Sequence, residues 1–253
     1  MGDHETEPGR EAERIAHLHW LSALIPADAG WLRLATTSFI LSLVGLALAT
    51  AAYILTYPAL RVGLMNDPML LNAFTRQIVA SGLLIVFVIN MIGFANYRAF
   101  VTRGNEGRST AAVLGVDLFT RGLLFFGMHV ISYYLAAEYY GSFGGNTVLA
   151  LQVVAPTLAA AAWLGNLSGV YLWATAISAL PFFMVVLAQG TRGHGRLSDG
   201  IRSALSRLGR AQAQQARPGW QHCVLAILVF ITFAVALSLF ATLLALIIPV
   251  SRG

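Results

Sequence analysis

The sequence predicts an all-α polytopic transmembrane bundle, on three observations. Only 11% of its residues are charged against 57% hydrophobic, and the mean hydropathy is +0.71, where soluble domains carry about 25% charged residues. Six apolar runs follow one another, each of helix-spanning rather than strand length, which excludes a barrel. All sixteen basic residues are arginines, and most stand between those runs.

Residues 1–30 read as a polar tail and an amphipathic surface helix. Ile15, Leu18 and Leu21 form its apolar line among Glu11, Glu13, Arg14, His17 and His19, and Pro26-Ala27-Asp28 closes it. Residues 31–190 hold the membrane bundle, with apolar runs at about 34–55, 74–97, 110–134, 148–164 and 170–189. Residues 191–221 form a basic amphipathic helix, with Ile201, Leu205 and Leu208 at i, i+4 and i+7. Its Arg192, Arg196, Arg202, Arg207, Arg210 and Arg217 form a surface for headgroups or for a partner. Residues 222–253 supply the last transmembrane helix, uncharged through Val250.

The arginines set the number of crossings. If all six runs cross, seven arginines fall on one side and eight on the other, which is no bias. If one run between Arg108 and Arg192 fails to cross, twelve face three, with Arg121 inside a span. Excess arginine marks the cytoplasmic side. The expectation is therefore five crossings, a cytoplasmic N-terminus and an external C-terminus. The run that fails is the fourth, 148–164, because it is short, contains Pro156 and lies between Gly144-Gly145 and Gly165-Asn166-Leu167-Ser168-Gly169. It is expected to be re-entrant or interfacial; the alternative is six crossings.

The third run carries the charges that lie deep in an apolar segment. Asp117 and Arg121 are four residues apart and share a helix face, so they can pair. A charge near the midplane costs about 2.5–3.5 kcal/mol on insertion scales, which makes each an intramembrane site candidate. His129 and Tyr133 extend the polar line on the same helix, and Asn90, Asn96 and Gln152 are placed to meet it from other runs. Two readings stand: a polar path for an ion or small solute, or a neutralised structural pair.

Other chemistry is excluded by what is missing. His129 is the one histidine in the interior of a run, which argues against a bis-histidine haem; the other histidines lack zinc spacing. No lysine is present for a Schiff base, and the lone Cys223 allows no internal disulfide. Asn166-Leu167-Ser168-Gly169 invites comparison with intramembrane serine proteases. The comparison fails, because a glycine two places before the serine is missing and no later run holds a histidine as base. Neither a metal, a cofactor nor a catalytic set is expected, and the basic residues form no nucleic-acid groove. The aromatic residues near the run ends, Tyr171 and Trp173 among them, read as an interfacial belt.

Small size, surface helices and small-residue faces such as Gly165 and Gly169 predict a non-catalytic subunit or assembly partner of a larger membrane complex. Its partners would be other membrane subunits or a second copy, besides the bilayer. The alternative is a transporter or channel subunit with a polar path on the third helix. Residues 1–14 show no cleavable signal, and arginine without lysine suggests a bacterial inner membrane.

Overall fold

The computed structural model describes residues 30–102, 110–190, 200, 203–204 and 220–247. The expected surface helix before residue 30 lies outside that set. So does nearly all of the basic helix, including Arg192, Arg196, Arg202, Arg207, Arg210 and Arg217.

The described residues are helical, with no strand among them, and form an all-α bundle. Helix α1 spans Trp31–Thr56 and ends where Tyr57-Pro58 breaks the chain. Two short helices follow, α2 (Pro58–Asn66) and α3 (Pro68–Arg76), each with proline in its first turn, where a missing N–H costs nothing. Asp67 caps α3, its carboxylate accepting from the N–H groups of Met69 (2.8 Å) and Leu70 (3.1 Å). A π-helical stretch, Gln77–Gly82, joins α3 to α4 (Leu83–Thr102). Helix α5 runs over Thr110–Tyr140, past the expected end at residue 134.

The fourth apolar run breaks into pieces. A left-handed turn at Gly141, Phe143, Gly144 and Gly145 reverses the chain after α5, which explains the paired glycines. Helices α6 (Thr147–Gln152) and α7 (Val154–Ala159) follow, then a 3₁₀ turn, Ala161–Trp163. Asn146 caps α6 by accepting from Leu149 N–H at 2.9 Å. The apolar helical stretch Thr147–Ala159 is about 20 Å long at 1.5 Å per residue, short of a hydrocarbon core of about 30 Å. Helix α8 (Leu167–Gly190) and helix α9 (Trp220–Ile247) complete the chain.

Five described helices are long and apolar enough to cross a membrane: Trp31–Thr56, Pro68–Asn96, Ala112–Tyr140, Leu167–Met184 and Trp220–Ile247. The second expected run is thus longer than 74–97 and is preceded by the unforeseen α2.

The described residues fall into two compact units. The first comprises 38–93, 118–179 and 229–247. Its core joins Leu46 and Ala49 of α1, Ile85, Val86 and Ile89 of α4, and Phe125 of α5. Leu158 and Ala161 of the broken segment, Val170 and Ala174 of α8, and Ala234 of α9 complete it. Small residues let the backbones approach: a side chain on Gly45 of α1 would overlap Ser178 of α8. The Ser178 hydroxyl reaches the Leu41 carbonyl at 2.9 Å, and Ser238 of α9 donates to the Ala159 carbonyl. The second unit comprises 30–37, 94–102, 110–117, 180–190 and 220–228 with the isolated residues near 200. Phe94 meets Phe182 edge-on at 6.1 Å between ring centres, and Asp117 and His222 are buried.

Candidate functional site

His129 stands on α5 about 17 Å from its Tyr140 end, at 1.5 Å per residue, and is 2% exposed. Its Nδ1 lies 2.8 Å from the Phe125 carbonyl one turn back. A carbonyl only accepts, so in the neutral ring this contact assigns the proton to Nδ1. Nε2 is then an acceptor, and it lies 2.9 Å from the hydroxyl of Ser168, which donates to it. Phe125, at 4.4 Å between ring centres, and Tyr171, at 6.3 Å, pack against the imidazole.

The broken segment is what delivers Ser168. Leu164 turns the chain with φ +52°, a left-handed conformation strained for a leucine. Its carbonyl is held by the Tyr57 hydroxyl at 3.0 Å, while Gly165 N–H returns to the Ala160 carbonyl. Asn166 then caps α8: its Oδ1 accepts from Gly169 N–H at 3.0 Å and its Nδ2 donates to the Thr157 carbonyl at 2.8 Å. Gly169 has no room for a side chain, since a Cβ would lie 2.6 Å from the Ala161 carbonyl oxygen. Ser168 therefore occupies the first turn of a 24-residue helix, pinned from both sides.

A cavity of about 280 Å³ opens beside this pair. Gln77, Ser81, Ser132, Tyr133, Thr157 and Asn166 line it together with His129, Ser168 and Tyr171, and Ile85 and Leu167 complete the wall. Tyr171 donates to the Gln77 carbonyl at 3.1 Å, at the start of the π-helical stretch, where the helical hydrogen-bond register changes. Tyr133 reaches the Thr157 hydroxyl at 3.4 Å.

A second polar chain crosses the same unit nearer the start of α5. Arg121, the largest completely buried side chain among the described residues, donates from Nη1 to Asn90 Oδ1 at 2.9 Å. Asn90 Nδ2 donates onward to the Ser42 hydroxyl of α1 at 2.8 Å. The guanidinium lies over Gly93 of α4, where a methyl group would overlap it.

Of the residues singled out from sequence, Asn90, Arg121, His129 and Tyr133 fall in one unit, and Asn90 meets Arg121 directly. His129 and Tyr133 line the cavity. Asp117 is one turn before Arg121 on α5 and 2% exposed. Asp117 and the half-buried Asn96 belong to the other unit.

Sequence reasoning missed Ser42, Gln77, Thr157 and Ser168 as site residues. Tyr171 needs correction too: it is 3% exposed inside the bundle, no part of an interfacial belt. The signal for Ser168 is present, because an asparagine just before an apolar run is a helix cap and places Ser168 in the first turn. The histidine that meets Ser168 comes from the earlier α5. The glycines at 165 and 169 pack within the chain, against Ala160 and Ala161.

Compared with the models of known families, with curated proteins and with solved structures, the chain matches none.

Proposed function

We propose that this multi-pass membrane protein binds a small polar solute in an intramembrane pocket centred on His129. The reading favours a transporter or channel over an inert subunit of a complex. One observation carries the reading: a cavity of about 280 Å³ within a bundle of membrane-spanning length, whose lining includes the polar residues Gln77, His129, Thr157, Asn166 and Ser168. Unsolvated polar groups cost free energy in an apolar surrounding, so a purely structural bundle has reason to fill this space with leucine and alanine. Ligand pockets start at about 300 Å³, which fits a solute of few heavy atoms. In this reading the arginine-rich segments face the cytoplasm of a bacterial cell.

Thiol reactivity in reconstituted liposomes tests it. With Cys223 replaced by alanine, cysteines are placed at Ser132 and Thr157 in the pocket and at Leu123 and Ile131, which are 62% and 54% exposed on α5. The pocket positions are expected to react with a charged methanethiosulfonate at least tenfold faster than the outward ones. Equal, slow reaction at all four sites contradicts a solute-accessible pocket.

A further inference from the structure

We infer that Ser168 and His129 form a nucleophile–base pair, and that the pocket carries acyl-transfer chemistry on a small carboxylic ester. The inference rests on the pocket being open to solutes, though not on transport.

The geometry is that of an activated serine. The Ser168 hydroxyl donates to His129 Nε2 at 2.9 Å, and the Phe125 carbonyl at 2.8 Å from Nδ1 holds the imidazole in the tautomer that can accept the proton. That carbonyl orients the ring as a carboxylate does in three-residue constellations. Both side chains are at least 95% buried, yet both line the cavity, so a ligand inside it touches them directly. Ser168 also heads α8, where the first N–H groups, those of Leu167 and Ser168, have no preceding helical carbonyl to bond. These donors and the positive end of the helix dipole belong to the same helix turn as the serine, and in this inference they would stabilise the oxyanion. The strained Leu164 and the side-chain-free Gly169 fix the serine in this place, as preorganisation requires.

The step balances without any further reagent. Ser168 Oγ bonds to the ester carbonyl carbon as its proton passes to His129 Nε2, and the carbonyl π pair moves onto oxygen. Collapse of that oxyanion expels the alkoxide, which takes the proton from Nε2 and leaves as alcohol. Water, deprotonated by His129, then attacks the acyl-serine and releases the carboxylic acid, restoring the hydroxyl. Asn166 is a positioning residue here: its cap on Gly169 and its bond to the Thr157 carbonyl hold the first turn of α8 against α7.

The full chain in lipid nanodiscs is treated with a fluorophosphonate probe and with p-nitrophenyl butyrate. Covalent labelling on Ser168, found by peptide mass, is expected together with ester turnover. Ser168→Ala should abolish both, and His129→Gln should slow labelling by about 100-fold or more, the scale of a lost general base. Because a change at the buried His129 also threatens folding, Ser168→Cys is the second probe. Its thiol should alkylate with iodoacetamide at neutral pH, faster than in the Ser168→Cys/His129→Gln double variant. Absence of fluorophosphonate labelling, with the Ser168→Cys thiol still reacting with a charged methanethiosulfonate, overturns the catalytic pair and leaves the binding pocket standing. Absence of both reactions removes the pocket as well. Labelling at any residue other than Ser168 also overturns the assignment.

Discussion

His129 and Ser168 meet at 2.9 Å across 39 residues of sequence, one in the middle of α5 and the other in the first turn of α8. Both are buried, so each hydrogen-bonding group depends on the other. Removing one partner leaves a buried group unsatisfied, at about 1–3 kcal/mol. His129→Leu and Ser168→Ala should each lower the unfolding midpoint in mild detergent. The double variant should lose less than the two singles combined, with a coupling of about 0.5–3 kcal/mol, the range seen for residues in contact. Strict additivity would mean the contact does not form.

Gly93→Ala places a methyl group where the Arg121 guanidinium lies. The arginine is 1% exposed and bonded to Asn90, so it has little freedom to move aside. Overpacking of this kind costs about 1–3 kcal/mol, visible as a lower unfolding temperature. Gly115→Ala on α5, where nothing lies near the added carbon, is the matched control and should be close to neutral.

Asn90 links Arg121 to Ser42. Asn90→Leu removes a hydrogen bond to a charged group, worth about 1.5–3 kcal/mol, and should reduce the yield of folded protein. Asn90→Asp keeps an acceptor for the guanidinium and should recover most of that loss. An Asn90→Leu variant as stable as the parent would show that the chain Ser42–Asn90–Arg121 contributes nothing.

The bundle is legible in the sequence because apolar length and arginine placement are one-dimensional signals. Counting arginines leaves one run between Arg108 and Arg192 without a crossing, and shortness, Pro156 and flanking glycines point to 148–164, which the structure breaks into α6, α7 and a 3₁₀ turn. The polar line on α5 is visible for the same reason, since Asp117, Arg121, His129 and Tyr133 follow one helix period. Its partners are not. Ser42 and Thr157 are single hydroxyls in apolar runs, and only tertiary packing tells them from hydroxyls that bond their own helix alone, as Thr56 does to Ala52. Tyr171 looks interfacial because it stands near a run's start, yet it packs against Gly82 and His129 and bonds the Gln77 carbonyl inside the bundle.

The broken segment also implies a topology. Cysteines at Gly144 and Gly165, each introduced without Cys223, should label from one and the same side of right-side-out vesicles, the side opposite the arginine-rich segments. Labelling from opposite sides would restore the sixth crossing and reverse the placement of residues 191–221.

Gly169→Ala tests how tightly Ser168 is held. The added carbon would lie 2.6 Å from the Ala161 carbonyl oxygen and 2.9 Å from Leu164 Cα, both backbone atoms that cannot rotate away. The first turn of α8 must shift, separating Ser168 from His129. Fluorophosphonate labelling should fall with it, although neither member of the pair is altered.

Collision measurements on spin labels address most directly whether a polar, solute-accessible pocket lies inside the apolar bundle. Labels at position 157, lining the cavity, and at position 123, facing outward on α5, are compared in liposomes without Cys223. A water-soluble nickel chelate should collide more often with the label at 157, while oxygen, concentrated in lipid, should favour 123. Oxygen-rich, nickel-poor behaviour at both positions would contradict the pocket.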